Sequence, residues 1–225
     1  VQFWGIGETV LTLPAIEALR GKFPKAAIDM LATSRNKNVY FENKNIDKVI
    51  TLKINPFSIL AFILKNLKEY EIAIDMEEYL NISAIISFFA GKSVVGYSHG
   101  ARAKLYDTKV RYNDQQHAVQ TFLDLARALG ANYDAAELPK LGFSKNDKNT
   151  VDKLLKNNGI KPDDFVVCVA PGAAESAKCR MWPFEKYAEF CDEIISRHNA
   201  RVIFAGNRGE IELIDNIQKN MDNKN

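Results

Sequence analysis

Hydrophobic positions along this chain switch repeatedly between short continuous runs and helical spacing, the pattern of strands alternating with helices. Residues 1–4 form an apolar run that ends at Gly5-Ile6-Gly7-Glu8, after which Leu11, Ala15, Ala18 and Leu19 recur at helical spacing as far as Arg20. Strand, tight loop and helix are predicted, with Pro14 either opening the regular helix or kinking its first turn. Further strands are expected over 27–32, 49–52 and 72–75, the last ending in the carboxylate of Asp75, and a short one at Val94 and Val95. Between them, 56–70 reads as a helix apolar almost all round, which is either core or, less favoured, a membrane-facing surface, and 81–90 as another, stopped by Gly91. A clear helical pattern returns over 117–129 and ends at Gly130.

Periodicity is weak over 98–114, which reads as a long rim loop and, for that reason, a working surface. Residues 134–161 read as a connection carrying a helix at 150–157 and a turn at Gly159. A second cycle follows: a strand over 165–170 broken by Pro171-Gly172-Ala173-Ala174, a helix from Pro183, a strand over 201–205, the loop 206–209 and a helix over 210–220. Units of this length favour an α/β fold, a doubly wound parallel sheet covered on both faces. Two Rossmann-like domains are expected, 1–145 and the start of a second over 146–225.

Composition narrows the class. With 225 residues and 47% hydrophobic content the chain can bury a full core, and a net charge of +2 leaves no dense positive face for nucleic acid. The longest apolar stretches, 57–64 and 82–90, fall far short of the roughly 20 residues that cross a bilayer. Cys168, Cys179 and Cys191 match neither a CxxC pair nor a zinc ribbon and read as reduced, mostly structural thiols. The chain begins at Val1 inside an apolar run without Met and stops after a helical pattern, so both ends are expected to be cut.

In open parallel sheets, ligands bind at the carboxyl ends of strands, where helix N-termini present unpaired N–H groups. Two loops have that form. In the first, Gly5 and Gly7 lead into Glu8, which either complements the helix dipole or acts on a substrate. The second, 171–183, sets Lys178 and Arg180 before a helix; cation and helix end together suit a diphosphate, although such residues are also ordinary solvated loop cations. Glu210, four residues after Gly206, is either a first-turn helix glutamate or an acceptor of ribose hydroxyls. Asp75 is expected to steady its loop or touch substrate, whereas Glu77 and Glu78 are expected to be solvated; no companion histidines make a metal set. The histidines assemble no Ser-His-Asp site.

Taken in order, the motifs resemble glycosyltransferase family 9 across nearly the whole chain. They are Gly7-Glu8, Leu13-Pro14-Ala15 and Leu19-Arg20, then Pro24 and Ala26, then Tyr70-Glu71-Ile72-Ala73-Ile74-Asp75 with Ser83, Gly96-Tyr97 and His117. The strongest block is Pro171-Gly172-Ala173, Arg180-Met181-Trp182-Pro183 and Tyr187-Ala188, continued by Gly206 and Glu210. The resemblance implies a GT-B fold, with the acceptor held by the first domain and the nucleotide-sugar by the second. It implies inverting, metal-independent transfer of a heptose from a donor such as ADP-heptose to a lipopolysaccharide core acceptor, with no cofactor.

Glu8 matches the position where the family usually has an aspartate, the proposed general base. Arg180 stands where a lysine is common, two residues before the Trp-Pro pair, with Lys178 as the fallback phosphate contact. Gly172, Ala173, Ala174, Gly206 and Glu210 fall on the donor side, and Gly7, Thr9, Asp75, Arg102 and Lys104 on the acceptor side. The family's later Asp-Ser-Gly and histidine segment is expected beyond Asn225, which would make this polypeptide an incomplete enzyme. A lipid acceptor implies the cytoplasm and the inner membrane face, which the basic residues Arg102, Lys104, Lys109 and Arg111 and the 57–64 helix would favour. The reading from another class is a noncatalytic nucleotide-sugar-binding or assembly module. A nucleotide-sugar epimerase or dehydrogenase is disfavoured, because no full GxGxxG follows the first strand.

Overall fold

The structure is a computed structural model and describes residues 1–3, 5–133 and 137–223. The chain divides into two compact units, Val1–Ser144 and Lys145–Asn225.

In the first unit, strands β1 (Asp29–Ala32) and β2 (Lys48–Thr51) pair in parallel, as do β3 (Tyr70–Ile74), β4 (Gly91–Tyr97) and β5 (Thr108–Val110), in the order β3-β4-β5. Residues 1–3 join the two sets. The Gln2 N–H donates to the Leu31 carbonyl at 3.0 Å, the Met76 N–H donates to the Val1 carbonyl at 3.1 Å, and the Val1 ammonium donates to the Ile74 carbonyl at 2.7 Å. The opening segment therefore runs parallel between β1 and β3, so the order β2, β1, residues 1–3, β3, β4, β5 is that of a doubly wound sheet.

Side chains alternate across this sheet. Met30, Ala32, Val95 and Tyr97 pack against Leu13, Ile16 and Leu19 of α2 (Leu13–Lys22) and Phe122 and Leu123 of α5 (Ala118–Arg127). Phe3, Leu31 and Leu52 point the other way, onto α3 (Pro56–Lys65) and α4 (Asn81–Ala90). A period of two along each strand delivers both cores.

The helix after the first strand is in two pieces. α1 (Ile6–Leu11) ends at Thr12, and α2 begins at Leu13 with Pro14 in its opening turn, where its missing N–H costs nothing. His117 caps α5, its Nδ1 accepting from the Val119 N–H at 3.3 Å, and Gly130 closes the following turn at φ 76°.

Several expectations need correcting. The helix predicted over 56–70 stops at Lys65, and none of its residues is fully buried: Phe57 is 87% exposed and Leu64 68%. Gly91 does end α4, but as the first residue of β4 at φ −92°, placed where a Cβ would meet the Ala73 backbone. The strand at Val94 and Val95 extends over seven residues. The loop expected over 98–114 holds a 3₁₀ turn, Ala101–Leu105, and β5.

In the second unit, α6 (Lys145–Asn157) is longer than the helix expected at 150–157, and Asp134, where the connection was expected to begin, lies outside the described residues. Strands β6 (Val166–Val169) and β7 (Arg201–Phe204) pair in parallel. Val169 packs with Ala188, Cys191 and Ile195 of α7 (Phe184–His198) and Ile217 of α8 (Ile211–Asn220). Cys191 is buried, but Cys168 and Cys179 are exposed free thiols, against the expectation of mostly structural cysteines.

Candidate active site

The carboxyl end of the central segment turns at Gly5, which caps α1 at φ 58°. That left-handed conformation suits glycine, and the bare Cα has a second use. A Cβ there would lie 1.6 Å from Glu8 Oε2, so the Glu8 side chain is folded back over Gly5. Glu8 is exposed in the first turn of α1 rather than in a loop, at the positive end of the helix amides. Gly7 is also exposed, and a Cβ on it would meet nothing within 4 Å, so packing does not require a glycine there.

Thr9 does not face a substrate. Its side chain is fully buried; Oγ1 donates to the Gly5 carbonyl at 2.6 Å and accepts from Asn36 Nδ2 at 2.9 Å. Asn36 also donates to the Gln2 carbonyl at 3.0 Å and accepts from the Thr33 N–H at 2.9 Å. The turn bearing Glu8 is thus anchored from beneath by a hydroxyl and a buried amide.

Asp75 and Arg102 belong to the interior as well. Asp75 Oδ2 accepts from Arg102 Nη2 at 2.8 Å, the Tyr106 hydroxyl at 2.6 Å and Ser83 Oγ at 3.0 Å, while Oδ1 accepts from the Glu77 N–H at 3.1 Å. Both carboxylate oxygens are filled by the protein, and Arg102 is equally buried, donating also to Tyr106 and to the Glu77 carbonyl. Burial and the Asp75 charge hold the Tyr106 phenol well above its ordinary pKa. Of the two roles expected of Asp75 the structure shows the first: it steadies its loop, its four hydrogen-bond donors leaving no face for a substrate, whereas the expectation that Arg102 faces an acceptor or a membrane is corrected, because the guanidinium is the buried counter-ion of Asp75. Lys104, Lys109 and Arg111 remain exposed.

Glu77 is buried, contrary to the expectation that it is solvated. Its Oε1 accepts from the Phe3 N–H at 2.5 Å. This bond ties the loop after β3 to the segment that leads into Gly5 and Glu8. Such partners, 74 residues apart, leave no trace in local periodicity.

In the second unit, the loops after β6 and β7 meet at Glu210. Its Oε2 accepts from the Asn207 N–H at 2.8 Å, and Asn207 Oδ1 accepts from the Gly209 N–H at 2.8 Å, a capping arrangement for the turn that opens α8. A Cβ on Gly172 would lie 2.1 Å from Glu210 Oε1, and one on Gly206 2.7 Å from Oε2. The two glycines admit one carboxylate between them. Ala173 is half-buried and Ala174 exposed, leading into the 3₁₀ segment Glu175–Arg180 that presents Lys178 and Arg180 on the surface. Trp182 leans on Tyr187 with ring centroids 5.5 Å apart, just ahead of α7.

The first unit carries a carboxylate on a helix turn at the end of its central strand, and the second a glycine loop followed by cations; both are strand-helix turns of the Rossmann-like type, where such folds bind ligands. The family model for glycosyltransferase family 9 (heptosyltransferase) matches residues 62–225, and the chain belongs to that family. Lipopolysaccharide heptosyltransferase 3 of Escherichia coli is 20% identical over 231 residues, covering 97% of this chain and 66% of that protein. The crystal structure of a family 9 glycosyltransferase from Veillonella parvula matches with a TM-score of 0.86 at 18% identity, over 99% of this chain and 66% of that one. An E. coli heptosyltransferase solved with ADP-2-deoxy-2-fluoro heptose matches with a TM-score of 0.67 at 18% identity, over 96% and 71%. The chain spans just under two thirds of the length of the first two. These likenesses establish the α/β fold of GT-B type: the strand-helix pattern predicts its doubly wound sheet, and the family resemblance implies the GT-B type.

Proposed function

We propose that the full-length protein transfers a heptose, with inversion and without a metal ion, from ADP-heptose to a lipopolysaccharide core acceptor. The observation that carries the reading is Glu8: an exposed carboxylate in the first turn of α1, next to the open space over Gly7. Glu8 takes the proton of an acceptor hydroxyl while that oxygen forms a bond to the anomeric carbon. The bond from that carbon to the diphosphate oxygen breaks on the opposite face, and the electron pair leaves with the diphosphate. Gly7, bare without a packing reason, leaves room for the acceptor, and Lys104 lies exposed on the same unit.

On the donor side, the exposed Lys178 and Arg180 and the backbone of Gly172, Ala173 and Ala174 offset the growing charge on the leaving diphosphate. Glu210, held between Gly172 and Gly206, accepts from the ribose hydroxyls. The sugar, nucleotide and acceptor are carried over from the relatives, one named for lipopolysaccharide heptosyl transfer and one solved with an ADP-heptose analogue.

A lipid-linked acceptor places the enzyme in the cytoplasm against the inner membrane. The surface suited to that contact is α3, whose Phe57, Leu60 and Leu64 are exposed, with the exposed Lys53 and Lys65 before and at the end of the helix. No helix among the described residues is long and apolar enough to cross a membrane.

The test is transfer by the full-length protein from ADP-heptose to heptose-deficient lipopolysaccharide, without added metal, beside Glu8→Gln. Transfer that the variant abolishes is expected. Wild-type rates in the variant would remove Glu8 from the base role, and a wild type that binds ADP-heptose yet transfers nothing would overturn the assignment of substrates.

A further inference from the structure

The carboxyl edge of the first unit carries a cluster of rings that the transfer step does not use. Tyr97, the last residue of β4, is fully buried, and its hydroxyl donates to the Thr121 carbonyl at 3.2 Å. His99 stacks on it, with centroids 6.2 Å apart and planes 24° from parallel, and the His99 Nε2–H donates to the Glu78 carbonyl at 2.5 Å. Tyr112, two residues past β5, stands edge-on to both Tyr97 and His99 at 5.2 Å. Burial, and hydrogen bonds to Glu78 and Tyr79, hold the Tyr112 phenol in its neutral form far above its ordinary pKa.

Tyr79 completes the cluster from the loop after β3. Its ring leans on His99 at 5.6 Å and on Tyr112 at 6.3 Å, yet 71% of the residue is in contact with solvent. The rings thus grade from a buried base at Tyr97 to an exposed top at Tyr79, contributed by the ends of three adjacent parallel strands. An aromatic residue supported by two neighbours and left open on its remaining face is a preformed surface, with little freedom to lose on binding. The Phe3 N–H to Glu77 Oε1 bond ties this loop to the segment entering the Glu8 turn, so ring and carboxylate flank one edge of the sheet.

We infer that Tyr79, steadied by His99 and Tyr112, is the platform on which a pyranose ring of the glycan acceptor stacks while its neighbouring hydroxyl faces Glu8. The inference rests on the acceptor-side reading of the first unit. A sugar ring offers a face of C–H groups with slight positive charge, and the negative face of an aromatic ring attracts it while the equatorial hydroxyls stay wet. The cluster is rimmed by phenol, imidazole and carboxylate groups, which suits a sugar. An acyl chain is better matched by the apolar face of α3, which carries no polar rim groups among Phe57, Leu60 and Leu64.

The test uses full-length wild type, Tyr79→Ala and Tyr79→Phe, with ADP-heptose and a deacylated heptose-deficient lipopolysaccharide oligosaccharide as acceptor. Loss of the ring is expected to raise the acceptor KM about tenfold, with kcat and the ADP-heptose KM changed less than about twofold, while Tyr79→Phe behaves as wild type. An unchanged acceptor KM in Tyr79→Ala, an equal defect in Tyr79→Phe, or a rise in the ADP-heptose KM instead would overturn the platform. Calorimetric titration of the same oligosaccharide without donor separates the two readings. Binding that Tyr79→Ala weakens about tenfold, with no transfer by either protein, keeps the platform and sinks the transfer reading. Wild-type protein that neither binds nor transfers sinks both.

Discussion

Arg102 and Asp75 meet at 2.8 Å with both side chains shut off from solvent, beneath the loops at the carboxyl edge of the first sheet. Such a pair gains little over an apolar substitute, but removing one partner strands the other charge. Asp75→Asn is expected to cost about 3–5 kcal/mol in urea unfolding, and the Asp75→Asn/Arg102→Met double variant less than the sum of its parts. Strict additivity would mean that the two groups do not interact.

Gly7 gives a test of the acceptor space that leaves the base in place. Because nothing lies within 4 Å of a Cβ there, Gly7→Leu should unfold at nearly the wild-type urea concentration while raising the acceptor KM of the full-length enzyme. Gly5→Ala should do the reverse: at φ 58° and 1.6 Å from Glu8 Oε2 it costs roughly 1–2 kcal/mol and dislodges the carboxylate, lowering kcat. Unchanged turnover in Gly5→Ala would show that the position of Glu8 does not matter.

On the donor side, Gly172→Ala sets a methyl group 2.1 Å from Glu210 Oε1. The expected result is a higher ADP-heptose KM with an unaltered acceptor KM, matched by Glu210→Ala. If Glu210→Ala leaves the donor KM unchanged, Glu210 serves only as the cap of the turn before α8.

These sites differ in how far sequence exposes them. Glu8 and Gly172 are legible because each follows an apolar run and a turn residue, Gly7 before the one and Pro171 before the other, and the strand-helix alternation gives the architecture almost entirely. Asp75 was visible as a strand end, but its partners Arg102 and Tyr106 come 27 and 31 residues later, so the sealed network was not. β5 was missed because its three residues, Thr108-Lys109-Val110, are too few and too polar to register a period. The exposure of α3 was missed for the opposite reason: an apolar surface reads as core whether or not anything covers it.

That exposure sets up a surface measurement. Phe57→Ser with Leu64→Ser should weaken binding of the full-length protein to vesicles containing anionic lipid, and Lys53→Gln with Lys65→Gln should make the remaining binding less sensitive to salt. Equal vesicle binding by all the variants would move the membrane contact elsewhere.

Cys191 supplies a pH signature. Burial, aided by the neighbouring Asp192 charge, pushes its thiol up from 9.0 to about 11. Between those values the folded state keeps a proton that the unfolded chain has lost, so stability is full below about pH 9 and falls toward about pH 11, by at most about 1.4 kcal/mol per pH unit. Cys191→Ala should flatten that slope. In native protein at neutral pH, maleimide should label the exposed Cys168 and Cys179 and spare Cys191; labelling of all three would contradict its burial.

The buried amide of Asn36 bears on how the protein ages. Asparagine deamidates when the next backbone nitrogen turns back onto the side-chain carbonyl, and here the Lys37 N–H is engaged with the Thr33 carbonyl at 3.1 Å at the start of a 3₁₀ turn. Were the reaction to occur, an oxygen would replace the nitrogen that donates to the Gln2 carbonyl and to Thr9, and three oxygens would crowd together under the Glu8 turn. Locked against cyclisation and closed to water, Asn36 protects the geometry of the turn over the working life of the molecule.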